Sequence, residues 1–408
     1  MHAIIYSKIR HLLSNVCQLD LDRSLADQGP FDLILHKLTD QIAKANQGNN
    51  IAKSRVERFC QFTQAHREIP VIDPLENLYK LLDRHVQYKF VQECDIMEEG
   101  CHFFTPAFVE FMDSDVARNK ALMEENDVQF PFVCKPSVAH GSQLSHKMSI
   151  IFNEEGLRDV QPPCVAQTFI NHNALLCKIF VIGHSHYIVE RPSIKNFSAG
   201  NFETIFFNSH DVSKAESSSF LNELDETEME HPVVKPDYRM LEHLVTRMRN
   251  KLGLDLFGID VIIENHTGRY AVIDINGFPG YDGVPDFFQL LLDLLQSRLA
   301  STEPPFPRPV PPHDLSHVTG PPRDSSINSC TCIFQHLQKE PNCQSIYELD
   351  IANQMTTDRE TFLPQDKSTE CHDKEALLLL TLSGDQTNYA PHSDKCNSLW
   401  TAKNDVTN

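Results

Sequence analysis

The segment Gly258 to Asn276, GIDVIIENHTGRYAVIDIN, constrains this chain most. Two apolar runs flank a short polar stretch, and each run carries a carboxylate where a buried strand should have none. If His266, Thr267 and Gly268 form a three-residue hairpin loop with Gly268 left-handed, Asp260 falls directly opposite Asp274. Strand alternation puts Asn276 on the same face, opposite Gly258, whose missing side chain leaves room for something bound there. Two carboxylates and an amide oxygen are hard donors of the kind that hold Mg²⁺ beside phosphates. The competing reading is a surface hairpin with solvated acids. Ile259, Val261, Ile263, Val272, Ile273 and Ile275 argue against it, because they predict burial.

With 408 residues the chain exceeds a single core, so two or three lobes plus extensions are expected. There is no apolar run of membrane-spanning length, and MHAIIYSKIRHLL makes a poor secretion signal. Twelve cysteines are scattered singly, several among apolar neighbours (Cys134, Cys164, Cys177), which predicts reduced thiols in a cytoplasmic protein. The net charge of −20 excludes a general nucleic-acid binder. It does not exclude a small polyanion, because screening within about 8 Å lets a few local cations outweigh a distant acidic surface.

Strands alternating with helices in the first 92 residues predict an α/β lobe: Phe31 to Lys37 reads as a strand, and Pro70 to Pro74 as another feeding a helix through Leu78, Leu81 and Leu82. A central lobe over 93–190 carries strand signals at Phe130 to Lys135, Ser149 to Phe152, Cys164 to Phe169 and Lys178 to Val189. A third lobe over 191–300 holds the acidic hairpin and two helices, Asp237 to Leu252 closed by Gly253, and Pro285 to Leu299. Ser213 to His231 reads as a polar surface loop. Residues 301–408 are proline-rich, then polar and acidic, and are expected to be largely disordered. Within them Cys330, Cys332 and Cys343 do not make a closed zinc set.

Lys135 ends the apolar strand FPFVCK, and a buried ammonium needs an anionic partner. The polar loop Ala139 to His146 follows, with a single glycine; Lys178, Arg191, Ser193 and Lys195 supply further cations and a hydroxyl. Gln167 to His172 turns from an apolar strand into a polar bend, a place where an adenine ring commonly inserts between lobes. The chain contains no GxxxxGK[ST] and no HRD or DFG set, which excludes a P-loop enzyme and a protein kinase.

Taken in order, Lys135, the Gln167 to Lys178 stretch and the acidic pair ending at Asp274-Ile-Asn276 resemble the ATP-grasp arrangement. More narrowly, HKLTD (36–40), LLDR (81–84), FPFVCK (130–135), QPPCVAQTFINHNALLCK (161–178), RPSIKNFSAG (191–200), FFNSHDVSK (206–214), LFGIDVII (256–263) and VIDINGFPGY (272–281) resemble the inositol-tetrakisphosphate 1-kinase (inositol 1,3,4-trisphosphate 5/6-kinase) family over about residues 20–300. The resemblance implies an α/β ATP-grasp fold with a Rossmann-like N-terminal lobe and two lobes clasping ATP. It implies ATP contacts from Arg84, Lys135, Gln167, Thr168, Phe169, Ile170, Asn171, His172, Lys178, Ser193, Ser209 and Ser213. For Mg²⁺, one ion or two, the implied ligands are Asp260, Asp274 and Asn276; for the inositol phosphate, Lys37, His146, Lys178, Arg191, Asn276 and Gly280. Lys135, Lys178 and Asp274 are the implied catalytic residues, in a monomer that binds neither nucleic acid nor membrane. This chain departs from the family pattern where the first strand and its lysine-rich turn should stand, with Lys8 the nearest equivalent. It also has one extra residue between Lys135 and His146, and Pro136-Ser137 in place of Thr-Arg. A carboxylate–amine ligase of the same superfamily and a non-catalytic inositol phosphate binder are the alternatives.

Overall fold

The computed structural model describes residues 16–94, 97–98, 101–139, 143–229, 234–301 and 380–382. Lys8, the cysteines at 330, 332 and 343, nearly all of the tail, and parts of the 139–146 and 213–231 loops lie outside them. The strands are β1 Val16–Gln18, β2 Ile34–Leu35, β3 Val71–Ile72, β4 Met97–Glu98, β5 Cys101–Phe104, β6 Phe108–Phe111, β7 Phe132–Pro136, β8 Lys147–Ile151, β9 Cys164–Thr168, β10 Leu175–Ile182, β11 Ser185–Pro192, β12 Ile205–Asn208, β13 Leu256–Ile263, β14 Tyr270–Gly277 and β15 Leu380–Leu382. They form three sheets, ordered β1-β15-β2-β3, β12-β8-β7-β9-β6 and β11-β10-β13-β14-β5-β4.

The sheets redraw the expected lobes. Lys178 to Val189 is two strands, because Gly183 turns the chain at φ +60°. Both pair into the sheet of the acidic hairpin, β10 directly against β13. The limit expected at residue 190 therefore falls inside β11, while β12, further along the chain, returns to the central sheet beside β8. In the first lobe the strand expected over Phe31 to Lys37 shortens to Ile34–Leu35, and one strand of that sheet, β15, comes from the far tail.

Helix Tyr238–Leu252 forms as its sequence dictates. The Asp237 side chain caps the first turn through the Arg239 N–H, Gly253 closes the helix at φ +67°, and Leu241, Leu244, Val245, Met248 and Leu252 face inward. They join the largest core, which also takes Ile34, Val56, Phe59, Leu78 and Leu81 from the first lobe and Ile179, Val181, Phe257, Ile259 and Ile275 from the six-stranded sheet. Apolar burial thus fuses these two units. The central sheet has its own core around Phe111, Phe132, Ile151, Leu157 and Ala166.

Polar contacts tighten the same fusion. The buried Asp73 carboxylate accepts from the Asp255 and Leu256 N–H groups at 2.6 and 3.0 Å, and Asn77 donates to the Gly253 carbonyl at 2.9 Å. Asp255, itself 2% exposed, is clamped by Arg249 and Arg298. The Gln87 amide behaves like an extra strand residue, both donating to and accepting from the backbone of Ile275.

Candidate functional site

The cleft between the central sheet and the fused body encloses about 1270 Å³. Its floor is the β13–β14 hairpin, and the pairing there agrees with the sequence reading: Asp260 faces Asp274 and Gly258 faces Asn276. The route differs. Ile263 pairs with Tyr270, and Glu264 and Arg269 close a loop of four residues around Gly268 (φ +68°), which alone would slip the register by one. A bulge at Ile273 slips it back before Asp274. The bulge also releases the Ile273 carbonyl, which accepts hydrogen bonds from Lys135 Nζ at 3.0 Å and Tyr88 Oη at 2.9 Å. Ile273 itself is half-buried rather than in the core, and lines the cleft. Nor is the space over Gly258 open for a ligand: a Cβ there would meet Pro279 at 3.2 Å.

Lys135 reaches the cleft from the central sheet, 7% exposed, with its ammonium donating to Tyr88 Oη, Gln167 Oε1 and the Ile273 carbonyl at 2.8–3.0 Å. Burial lowers its pKa to about 8, against the opposing pull of Asp274. Lys178 donates to both oxygens of Asp260, at 2.9 and 3.2 Å. Burial works against the Lys178 charge, but Asp260 outweighs it and the pKa moves up. Asp260 is raised by its burial and by the neighbouring Asp274 charge, with Lys178 opposing.

Asp274 Oδ1 is buried with no hydrogen-bond partner, while Oδ2 accepts from Asn276 Nδ2 at 3.3 Å. A buried carboxylate oxygen left bare is costly. Two crowded carboxylates and an amide carbonyl, one oxygen unsatisfied, fit a hard divalent cation such as Mg²⁺.

On the opposite wall, His172 is buried and its pKa is pushed down to about 4 by desolvation, so its ring is neutral. Its Nδ1 must donate to the Ile170 carbonyl at 2.6 Å, which leaves Nε2 to accept the Ser193 hydroxyl proton at 2.7 Å. Gln167, Thr168, Phe169, Ile170, Ser209 and Ser213 line the same cleft. Asn171 does not: its side chain accepts from the Phe197 N–H and its carbonyl from Asn265, making it a strut behind the bend. Arg84, 2% exposed, borders the cleft, yet its guanidinium donates to the carbonyls of Pro136, Val138 and Ser145 and so holds the loop after β7.

Lys37, Arg191, His146 and Gly280 complete the lining, with Lys178 and Asn276. Lys37 sits 5.3 Å over the Phe278 ring, its pKa lowered by burial with Asp40 and Asp282 opposing. Arg191 is 7% exposed and donates to the Asp282 carbonyl. Every sequence-predicted site residue except Asn171 therefore meets in one cleft. The sequence reading missed Tyr88, His210 and Asp282. Tyr88 lay in a helix with no apolar-to-polar transition to mark it, and His210 was passed over inside the quoted FFNSHDVSK motif.

Comparison with known proteins agrees with this geometry. Residues 97–297 match the family described as inositol 1,3,4-trisphosphate 5/6-kinase ATP-grasp domain, and residues 4–78 its pre-ATP-grasp domain. The inositol-tetrakisphosphate 1-kinase of Xenopus laevis is 46% identical over 286 residues, 70% of this chain and 72% of that protein. Its Danio rerio counterpart is 44% identical over 284 residues, 69% and 71% of the two chains. Among solved structures, the ATP-grasp ligase PsnB complexed with minimal precursor aligns over 62% of this chain and 71% of that one, at 10% identity and a TM-score of 0.39. With both family regions matched in order and close relatives covered over more than two thirds of their length, the chain belongs to the inositol 1,3,4-trisphosphate 5/6-kinase family.

Proposed function

We infer that the protein is an ATP-dependent inositol polyphosphate kinase. It transfers the γ-phosphate to a ring hydroxyl, at the 5 or 6 position of inositol 1,3,4-trisphosphate, at the 1 position of inositol 3,4,5,6-tetrakisphosphate, or at both. The observation that carries the reading is the bare, buried Asp274 Oδ1 beside Asp260 and Asn276, in the same cleft as the cations Lys37, Lys135, Lys178 and Arg191.

Phosphoryl transfer asks the protein mainly for placement and charge neutralisation. Asp260, Asp274 and Asn276 would hold Mg²⁺, one ion or two, which would supply neutralisation of phosphate charge. ATP lies along the Gln167 to His172 bend, with the neutral His172 and Ser193 at the adenine end and Ser209 and Ser213 across the cleft. Lys135 and Lys178 face the charge that develops on the transferring group. Each is positioned by fixed acceptors, and Lys135, whose three N–H groups are spent on Tyr88, Gln167 and Ile273, releases one of them to meet the phosphate. Lys37, His146 and Arg191 grip phosphates already on the inositol ring, with Asn276 and Gly280 at its edge, and so select the hydroxyl presented. Arg84 acts by holding the loop between Lys135 and His146.

Among the described residues no helix is long and apolar enough to cross a membrane. The unbridged thiols of Cys94, Cys134, Cys164 and Cys177 support a reducing, cytoplasmic setting, and the working unit is taken as a monomer. The decisive experiment incubates the protein with labelled ATP and a panel of inositol tris- and tetrakisphosphates, then separates the product isomers. Label in inositol products supports the reading. ATP turnover that requires a carboxylate and an amine instead, or binding of inositol phosphates without ADP formation, overturns it.

A further inference from the structure

His210 stands one residue past Ser209, in the first turn of the short helix Ser209–Val212, exposed on the cleft wall. Its ring lies against that of His146, with centroids 3.8 Å apart and planes inclined by 36°. The two imidazoles come from separate segments, His146 from the loop after β7 and His210 from the end of β12, so the fold brings them together. His146 Nδ1 is also 3.1 Å from Ser209 Oγ, which ties the two segments at the same point. Burial, Lys214 and Lys178 all disfavour charge on His210, and Asp211 favours it. Asp260, the acid next to Lys178, is engaged by that lysine.

Two imidazoles in ring contact, on a cleft wall that also carries Lys178 and Lys214, make a corner suited to an anion. A phosphate monoester brings close to two negative charges and three strong acceptor oxygens, enough to take an N–H from each ring and to favour protonation of both. A carboxylate offers less charge, and its planar geometry serves two stacked rings less well.

We propose that His210 is a second substrate-gripping imidazole, paired with His146 on one ring phosphate of the acceptor. This rests on the kinase reading above and extends it by a specificity-determining residue. Paired donors on one phosphate favour acceptors that carry a phosphate at that ring position over those that do not.

The test compares His210→Ala, His210→Phe and His146→Ala with the wild type, varying inositol 1,3,4-trisphosphate and ATP separately. Binding of the trisphosphate without ATP is titrated calorimetrically alongside. Losing a charge-assisted hydrogen bond predicts an acceptor KM and Kd raised about tenfold or more in both His210 variants, with the KM for ATP within about twofold. The double variant His146→Ala/His210→Ala should lose less than the product of the single losses, because one phosphate is shared. The phenylalanine variant is decisive, since it keeps the stacking and removes the donors. If it matches the wild type, His210 merely supports the His146 ring and the proposal fails. A loss confined to the KM for ATP overturns it equally. A wild-type protein that binds the trisphosphate without phosphorylating it refutes the kinase reading alone, and the Kd values still judge His210. If it does neither, both readings fall.

Discussion

Lys135 is held in the cleft at a cost to folding, and that cost is measurable. Its ammonium is 7% exposed, and burial brings its pKa from the ordinary 10.5 to about 8. That gap corresponds to roughly 3 kcal/mol by which the buried charge opposes folding. The sign follows from proton counts. Between pH 8 and 10.5 the unfolded chain holds a proton on Lys135 that the folded one has released, so stability rises with pH across this window. Below pH 8 the penalty is present in full, and above 10.5 it is gone. Lys135→Met removes the titration and leaves the rest of the chain unchanged. The stability difference between wild type and variant should therefore shift with pH in favour of the wild type. The penalty is about 3 kcal/mol at pH 7.5 and about 1 kcal/mol at pH 10, a change of roughly 2 kcal/mol. Tyr88, the nearest group that could confuse the comparison, is pushed well above its usual range by burial and stays neutral throughout. Urea unfolding of both proteins in chelator, without nucleotide, at several values between pH 7.5 and 10 reads the shift directly. A constant difference across that range would refute the claim that this ammonium is held against its solvation.

Other consequences are simpler to check. Asp274→Ala should abolish turnover, by a hundredfold or more, while circular dichroism and the urea midpoint stay close to wild type or improve, since an unsatisfied buried oxygen is removed; a tenth of wild-type activity or more would remove the metal role. Tyr88→Phe deletes one of three acceptors on Lys135 and should lower kcat/KM about tenfold, with inositol phosphate binding unchanged in a direct titration. Arg298→Ala leaves the buried Asp255 with Arg249 as its remaining clamp and should destabilise by about 2–4 kcal/mol, seen as a lower urea midpoint; an unchanged midpoint would mean that Arg249 alone suffices.

How much of this was legible in the sequence depends on how local each signal is. A three-residue loop, which the structure replaces by a four-residue one and a bulge, put Asp260 across from Asp274, alternation put Asn276 on that face, and capping residues bounded the helix at Tyr238–Leu252. The Ile273 bulge was invisible, because a bulge and a four-residue loop offset one another and leave the pattern around Asp274 unchanged. Strand pairing across long separations was equally hidden: nothing in Leu175–Ile182 says that it joins β13 rather than its chain neighbour β9. The sheet partner of an apolar run is set by tertiary packing. Residues that act by holding others also escaped or, like Asn171, were read for another role. Tyr88, Gln87 and Asn171 carry ordinary side chains in ordinary contexts, and their hydrogen bonds run to backbone groups up to 188 positions away in sequence.

These holding residues explain why the site lies where it does. The first lobe and the six-stranded sheet share one apolar core, and Asp73, Asn77 and Gln87 fix them together through backbone groups. The central sheet packs its own core. Close-packed cores resist shear, so relative motion concentrates where two separate cores meet. The cleft lies along that seam, and the polar bonds that cross it include Lys135 to Tyr88 and to the Ile273 carbonyl, the Arg84 guanidinium to the loop carbonyls at 136, 138 and 145, and backbone bonds from Arg84 to Ser137 and from Ala139 to Leu82. The crossing on Ile273 uses a carbonyl freed by the bulge immediately before Asp274. One backbone irregularity thus restores the register that faces Asp260 with Asp274 and anchors the central lobe's lysine beside them. Deleting Ile273 would remove the bulge and leave Asp274, now next to Val272, still opposite Asp260, while the carbonyl that anchors Lys135 is lost. A deletion variant that still folds should therefore weaken nucleotide binding and keep divalent-cation binding, in separate calorimetric titrations. Unchanged nucleotide binding would mean that the Ile273 carbonyl does not anchor Lys135.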